Sequence, residues 1–220
     1  MRRGAQPPPR GRALEEVNFA KKILLVGDGA VGKTSLVRRF VHDLFSDRYI
    51  VTIGTKTSRK ALKLEYDAED LSVNLQLGIW DILGQKEGAR AHELYFKGAD
   101  GAILVCDLTR PETLASVPEW SKRVEALCGK LPAVLVANKQ DAKDERKVGD
   151  EEVAEVAKGL GVSWFQASAK TGLNVEAFFH EVGSLLCASL VVKHIEAREA
   201  AAAGQGSKKG LGRRAGRSKP

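Results

Sequence analysis

The sequence predicts an α/β fold, a mostly parallel sheet covered by helices. Two observations carry this prediction: apolar strand-like runs alternate with helix-like segments along the chain, and a glycine-rich loop joins the first such run to the first helix. A third observation modifies it. One stretch holds two strand-like runs with no helix between them, which predicts an antiparallel pair at one edge of the sheet.

The elements follow in order. Residues 1–17 are expected to be a disordered basic tail, because the first 14 are rich in Pro, Gly and Arg and cannot bury enough apolar surface to offset ordering. Residues 22–26, Lys-Ile-Leu-Leu-Val, predict a buried strand, and Lys33–His42, with Leu36, Val37, Phe40 and Val41, predicts the helix after it. Between residues 57 and 79, two strand-like runs flank Tyr66-Asp67-Ala68-Glu69-Asp70, the expected hairpin. Strands are then predicted at 101–107, 133–137 and 163–166, and helices at 111–128, 150–160 and 174–190. Thr113 and Asp150 are candidate helix starts, and Gly129 and Gly161 candidate stops. One folded domain is expected over 18–192, followed over 193–220 by a helix end and a second disordered basic tail.

The chain has 220 residues, of which 43% are hydrophobic, enough for one core and little for a second. Its net charge of +7 is concentrated at the ends, in Arg2, Arg3, Arg10 and Arg12 and in Lys208, Lys209, Arg213, Arg214, Arg217 and Lys219. The basic balance therefore describes the tails and predicts no nucleic-acid-binding face on the body. Cys106, Cys128 and Cys187 are too few and too scattered for a disulfide framework or a metal pattern, which points to a reducing, intracellular compartment. No apolar leader opens the chain, and no run is expected to reach the 18 or so apolar residues that span a bilayer.

Residues 27–34, Gly-Asp-Gly-Ala-Val-Gly-Lys-Thr, fit the Gly-x4-Gly-Lys-Ser/Thr pattern of a phosphate-binding loop. Glycines let the backbone curl until N–H groups point inward at phosphates. Lys33 adds a point charge, Thr34 a hydroxyl for Mg2+. The nucleotide-binding set is read as Gly27, Asp28, Gly29, Ala30, Val31, Gly32, Lys33, Thr34 and Ser35. A phosphate loop alone does not choose the base. Asn138-Lys139-Gln140-Asp141 follows a hydrophobic strand, where a carboxylate can accept both the N1–H and the exocyclic amine of guanine. Asp141 is the predicted guanine reader. Ser168-Ala169-Lys170, again at a strand end, offers a backbone N–H for the guanine O6.

With Thr52-Ile53-Gly54 and Trp80-Asp81-Ile82-Leu83-Gly84-Gln85 added, the chain resembles the Ras superfamily of small GTPases over roughly residues 19–190. Residues 49–54, 98–103 and 171–175 resemble its Rab-like branch. The resemblance implies a P-loop NTPase fold of the small G-protein kind, a six-stranded mostly parallel sheet with one antiparallel edge strand and helices on both faces. It implies GTP and GDP as ligands with Mg2+ as cofactor, the metal held by Thr34, Thr52 and Asp81. It implies Gln85, Lys33 and Thr52 as catalytic residues, Gln85 orienting the attacking water, with Gly84 bonding the γ-phosphate and Phe45 packing on the guanine edge. Gly29 stands where a side chain would crowd that water. No arginine is assigned as a finger in cis, so hydrolysis is expected to be slow without an activating partner.

Effectors, activating proteins and exchange proteins are expected on two switch loops, 45–56 and 81–97, and the protein is expected to be a cytoplasmic monomer. Two departures fall in the second loop: Ile82-Leu83 where the family has Thr-Ala, and Lys86 where it has Glu. They leave open a second reading, a GTP-binding scaffold that never cycles. A P-loop ATPase or kinase is the third, opposed by Asp141. The terminal prenylation cysteines of Rab-like proteins are absent, which suggests a lineage without that trafficking system, such as a prokaryotic one. The basic tails remain for weak contact with an anionic membrane or nucleic acid.

Overall fold

In a computed structural model, the structure describes residues 15–46, 55–66, 71–82 and 89–208. The first strand, β1, spans Glu15–Val26 and leads into helix α1, Lys33–His42. Strands β2 (Thr55–Tyr66) and β3 (Leu71–Ile82) follow, then α2 (Ala89–Phe96), β4 (Gly101–Asp107), α3 (Pro111–Ala115) and α4 (Val117–Cys128). Strand β5 (Ala133–Asn138), a 3-10 turn at Lys143–Glu145, α5 (Asp150–Leu160), β6 (Ser163–Gln166) and α6 (Val175–Lys208) complete the order.

One six-stranded sheet runs β2-β3-β1-β4-β5-β6. Every pairing is parallel except β2 with β3, whose register runs from Thr55 opposite Ile82 to Tyr66 opposite Leu71. The expected architecture and its antiparallel edge are therefore present. Helices cover both faces, as buried parallel strands require: all seven residues of β4 are buried. Leu24, Val26, Leu104, Cys106, Leu135 and Ala137 face a core completed by Trp120 and Val124 of α4 and Val153 and Ala157 of α5. Their sequence neighbours point the other way, toward α1 and α6, where Phe40 stacks on Phe179 at a centroid distance of 3.7 Å. Gly183 lets α6 lie close to the hairpin, since a Cβ there would meet Leu62 and Leu75 methyl groups at 3.3 Å.

Several expectations are corrected. Residues 15–17, assigned to the tail, belong to β1, because Glu15–Val17 pair with Leu71–Val73 of β3. The helix expected over 111–128 is two helices, divided at Ser116. Pro118 accounts for the break, because its ring has no N–H to donate to Leu114 and collides with that carbonyl in a continuous helix. Helix α2 was not anticipated at all. The chain divides between Leu186 and Cys187, within α6, into two compact units. The second unit is helical to Lys208, well into the 193–220 stretch expected to hold only a helix end and a disordered tail. Within α6, Val175–Ala200 holds an 18-residue window with a mean hydropathy of 1.5 and is long and apolar enough, by length and composition, to cross a membrane, contrary to expectation. Its first turns bury Phe178, Phe179 and Val182 completely, and a core helix is apolar for that reason.

Candidate functional site

Five parallel strands deliver their C-terminal ends to one edge of the sheet, where the phosphate loop, Asp81, residues 138–141 and residues 168–170 all lie. After β1 the backbone enters the left-handed region at Ala30 (φ 61°) and Gly32 (φ 97°), and Gly27 has φ 144°. Two glycines are sterically required as well. A Cβ on Gly27 would lie 2.2 Å from the Val105 carbonyl oxygen, and one on Gly32 2.2 Å from Asn138 Nδ2. The loop thus packs directly against β4 and the end of β5. Ser35 is half-buried in the first turn of α1.

Lys33 is buried and donates from Nζ to the carbonyls of Gly27 (2.7 Å) and Asp28 (2.8 Å). Burial pushes its pKa down to about 8, against the carboxylates of Asp81 and Asp28, with the Arg110 charge adding to the fall. Beside it the Thr34 hydroxyl donates to Asp81 Oδ2. Burial raises the Asp81 pKa, opposed by that hydrogen bond and by Lys33 and Lys56. Asp81 Oδ1 is buried with no hydrogen-bond partner among the described residues. An orphaned carboxylate oxygen next to a hydroxyl suits a hard divalent cation. The pair Thr34 and Asp81 therefore fits Mg2+.

The base side is tied to the phosphate side by one amide. Asn138, fully buried, donates from Nδ2 to the Val31 carbonyl at 2.8 Å, and its Oδ1 accepts the Ala169 N–H at 3.2 Å. It works as a strut between three loops. Lys139, at φ 67°, reaches Asp107 Oδ2 at 2.6 Å. Ser168 donates from Oγ to Asp141 Oδ1 at 2.5 Å and accepts the Thr171 N–H at 3.0 Å, which fixes the carboxylate while Lys170 stays exposed. From α1, Arg39 donates to the carbonyls of Ala169 (3.0 Å) and Lys170 (2.6 Å).

The structure thus gathers residues 27–35, Asp81, Asn138, Lys139, Asp141 and 168–170 at one edge. Phe45 is described and half-buried. Thr52, Gly84, Gln85, Leu83 and Lys86 lie outside the described residues. Sequence reasoning missed Arg39, Asp107, Arg110 and Trp120. Asp107 is fully buried, and burial alone would raise its pKa; hydrogen bonds from Lys139, Thr109 and Arg110 together outweigh burial and hold it below the ordinary value. Its place at the end of β4, next to a phosphate loop, was the available signal.

Comparison with known proteins gives the family. A Ras family model matches residues 22–187. Human Ras-related protein Rab-32 is 36% identical over 179 residues, covering 79% of this chain and 76% of its own. Arabidopsis thaliana Ras-related protein RABA4b is 34% identical over 171 residues (77% and 74%), and Rattus norvegicus GTP-binding protein Rab-3D 32% over 190 (85% and 84%). The chain belongs to the Ras family and is one of its Rab-like small GTPases.

Proposed function

We propose that the chain binds GTP and GDP with Mg2+ and slowly hydrolyses GTP to GDP and phosphate, acting as a switch. The observation that carries this reading is the Asn138 strut, which joins the Val31 carbonyl of the phosphate loop to the Ala169 N–H of the base side. Beside it, Asp141 is oriented by Ser168 to accept two donors of guanine. Inward backbone N–H groups of residues 29–34 receive the phosphates, and Lys33 exchanges its carbonyl partners for phosphate oxygens. Thr34, Asp81 and Thr52 would hold Mg2+, which when bound neutralises charge developing on the phosphates. Gln85 orients the attacking water. A partner-supplied arginine is worth about 10^3 to 10^5 in rate, so the lone chain turns over slowly.

Effectors, activating proteins and exchange proteins dock on the segments 45–56 and 81–97. Among their described residues Leu94 of α2 supports this, being 67% exposed, and Leu44, the residue just before the first segment, is 56% exposed. The protein is cytoplasmic and monomeric, and its basic tails touch anionic membrane or nucleic acid weakly at most. Single-turnover hydrolysis of bound GTP by the wild type and Gln85→Leu, followed over hours, tests the proposal. Slow turnover by the wild type, lost in the variant, is expected. Guanine-nucleotide binding without turnover in either protein would favour the non-cycling scaffold instead.

A further inference from the structure

Arg110 lies outside every motif of the site, at the N-cap of α3, yet it reaches the phosphate loop. Its guanidinium donates from Nε to Asp107 Oδ2 at 3.0 Å and from Nη2 to the Gly29 carbonyl at 2.8 Å. The same Asp107 Oδ2 accepts Lys139 Nζ at 2.6 Å. A continuous chain therefore runs from the base side, through Lys139, Asp107 and Arg110, to the middle of the phosphate loop. Trp120 acts next to it, donating from Nε1 to Asp28 Oδ1 at 2.8 Å.

The peptide that Arg110 grips is one whose direction matters. A trans peptide points its C=O and its N–H in opposite directions, so the Gly29 oxygen and the Ala30 N–H turn together. Glycine at 29 places little restraint on that rotation, and Ala30 already sits in the left-handed region at φ 61°. A carbonyl rotated into the loop would repel an anion, whereas the N–H rotated in binds it. The Arg110 charge is also felt inside the loop, since it acts on Lys33.

We propose that Arg110 is a positioning residue for the terminal phosphates: by holding the Gly29 carbonyl it aims the Ala30 N–H at the anion, and through Asp107 and Lys139 it links that aim to the base side. The inference rests on the guanine-nucleotide reading of the site. GDP and GMP separate the two ideas, because GMP draws on the base, ribose and first phosphate alone.

Titrations of full-length wild type, Arg110→Ala and Arg110→Lys with GDP and with GMP in Mg2+ make the test. Loss of a hydrogen-bonded charge is expected to weaken GDP binding about 10- to 100-fold in Arg110→Ala, with GMP binding within about twofold, so the GDP-over-GMP preference collapses. Arg110→Lys keeps the charge but lacks a fork that spans Asp107 and Gly29, and is expected to recover less than half of the loss. An unchanged GDP-over-GMP ratio in Arg110→Ala, whether both affinities fall or neither does, overturns the proposal, as does full rescue by lysine. Wild-type protein that binds neither nucleotide overturns the reading of the site and this inference with it.

Discussion

The five parallel strands and the one antiparallel strand of the sheet are built for different work. Strand β4 is buried along its whole length, whereas β2 alternates, with Leu62 and Leu64 inward and Ala61, Lys63 and Glu65 exposed. The parallel strands all end at the same edge. Motifs over a hundred residues apart in sequence, such as 27–34 and 138–141, therefore meet there with no loop long enough to bring them together. Strand β2 ends at the opposite edge and offers the site only its beginning, where Lys56 pairs with Asp81. The lesson is that direction, more than burial, decides which strands carry chemistry. The exposed edge of β2 carries Lys56 and Lys63, charges that discourage pairing with another chain.

This contrast can be broken at either region. The largest effect is expected on the parallel side, from Gly27→Ala. A methyl group 2.2 Å from a backbone oxygen, at φ 144°, forces β1 and β4 apart, with a cost of about 4 kcal/mol or more, read as loss of the unfolding transition or a large fall in Tm. Asp107→Asn comes next. It removes a buried charge that neutralises Lys139 and Arg110, for about 3 kcal/mol at neutral pH in denaturant melts.

The pH dependence of that cost has a definite sign. The folded pKa of Asp107 lies below the ordinary 3.8, so its stabilisation is fully present above 3.8 and is lost as pH falls through the folded value. The difference between wild type and Asp107→Asn should shrink in that acid range and nowhere above it. The hairpin gives the smallest effect. Leu62→Ala, a truncation of a side chain 4% exposed, is expected to cost about 2 kcal/mol of stability while leaving the preference for GDP over ADP unchanged. A hairpin substitution that altered base preference would dissolve the contrast.

Much of this was legible in the sequence, for physical reasons that also mark where legibility ended. Strands β4 and β5 read as continuous apolar runs because they are covered on both faces. Glu15–Lys21 did not read as strand, since half of β1 is polar and is held by its partner β3. Helix α2 has eight residues and no Ser, Thr, Asp or Asn just before it to mark a start, and α6 ran past its expected end because its polar second half lacks a proline to halt it. At the site, the glycines, Lys33, Thr34 and Asp141 announce themselves by chemistry and spacing. Arg39, Arg110 and Trp120 do not, because a guanidinium on a carbonyl 81 residues away, as Arg110 is on Gly29, has no local signature.

The central claim is that the strand ends assemble a guanine-selective site read by Asp141. Competition binding of GDP, ADP and xanthosine diphosphate to the wild type and Asp141→Asn tests it most directly. The account predicts that the wild type prefers GDP by about 10^4-fold, as a site built around a bidentate pair should, and that Asp141→Asn transfers the preference to the xanthine nucleotide. Equal affinity for GDP and ADP in the wild type, or an unchanged order in Asp141→Asn, would contradict it.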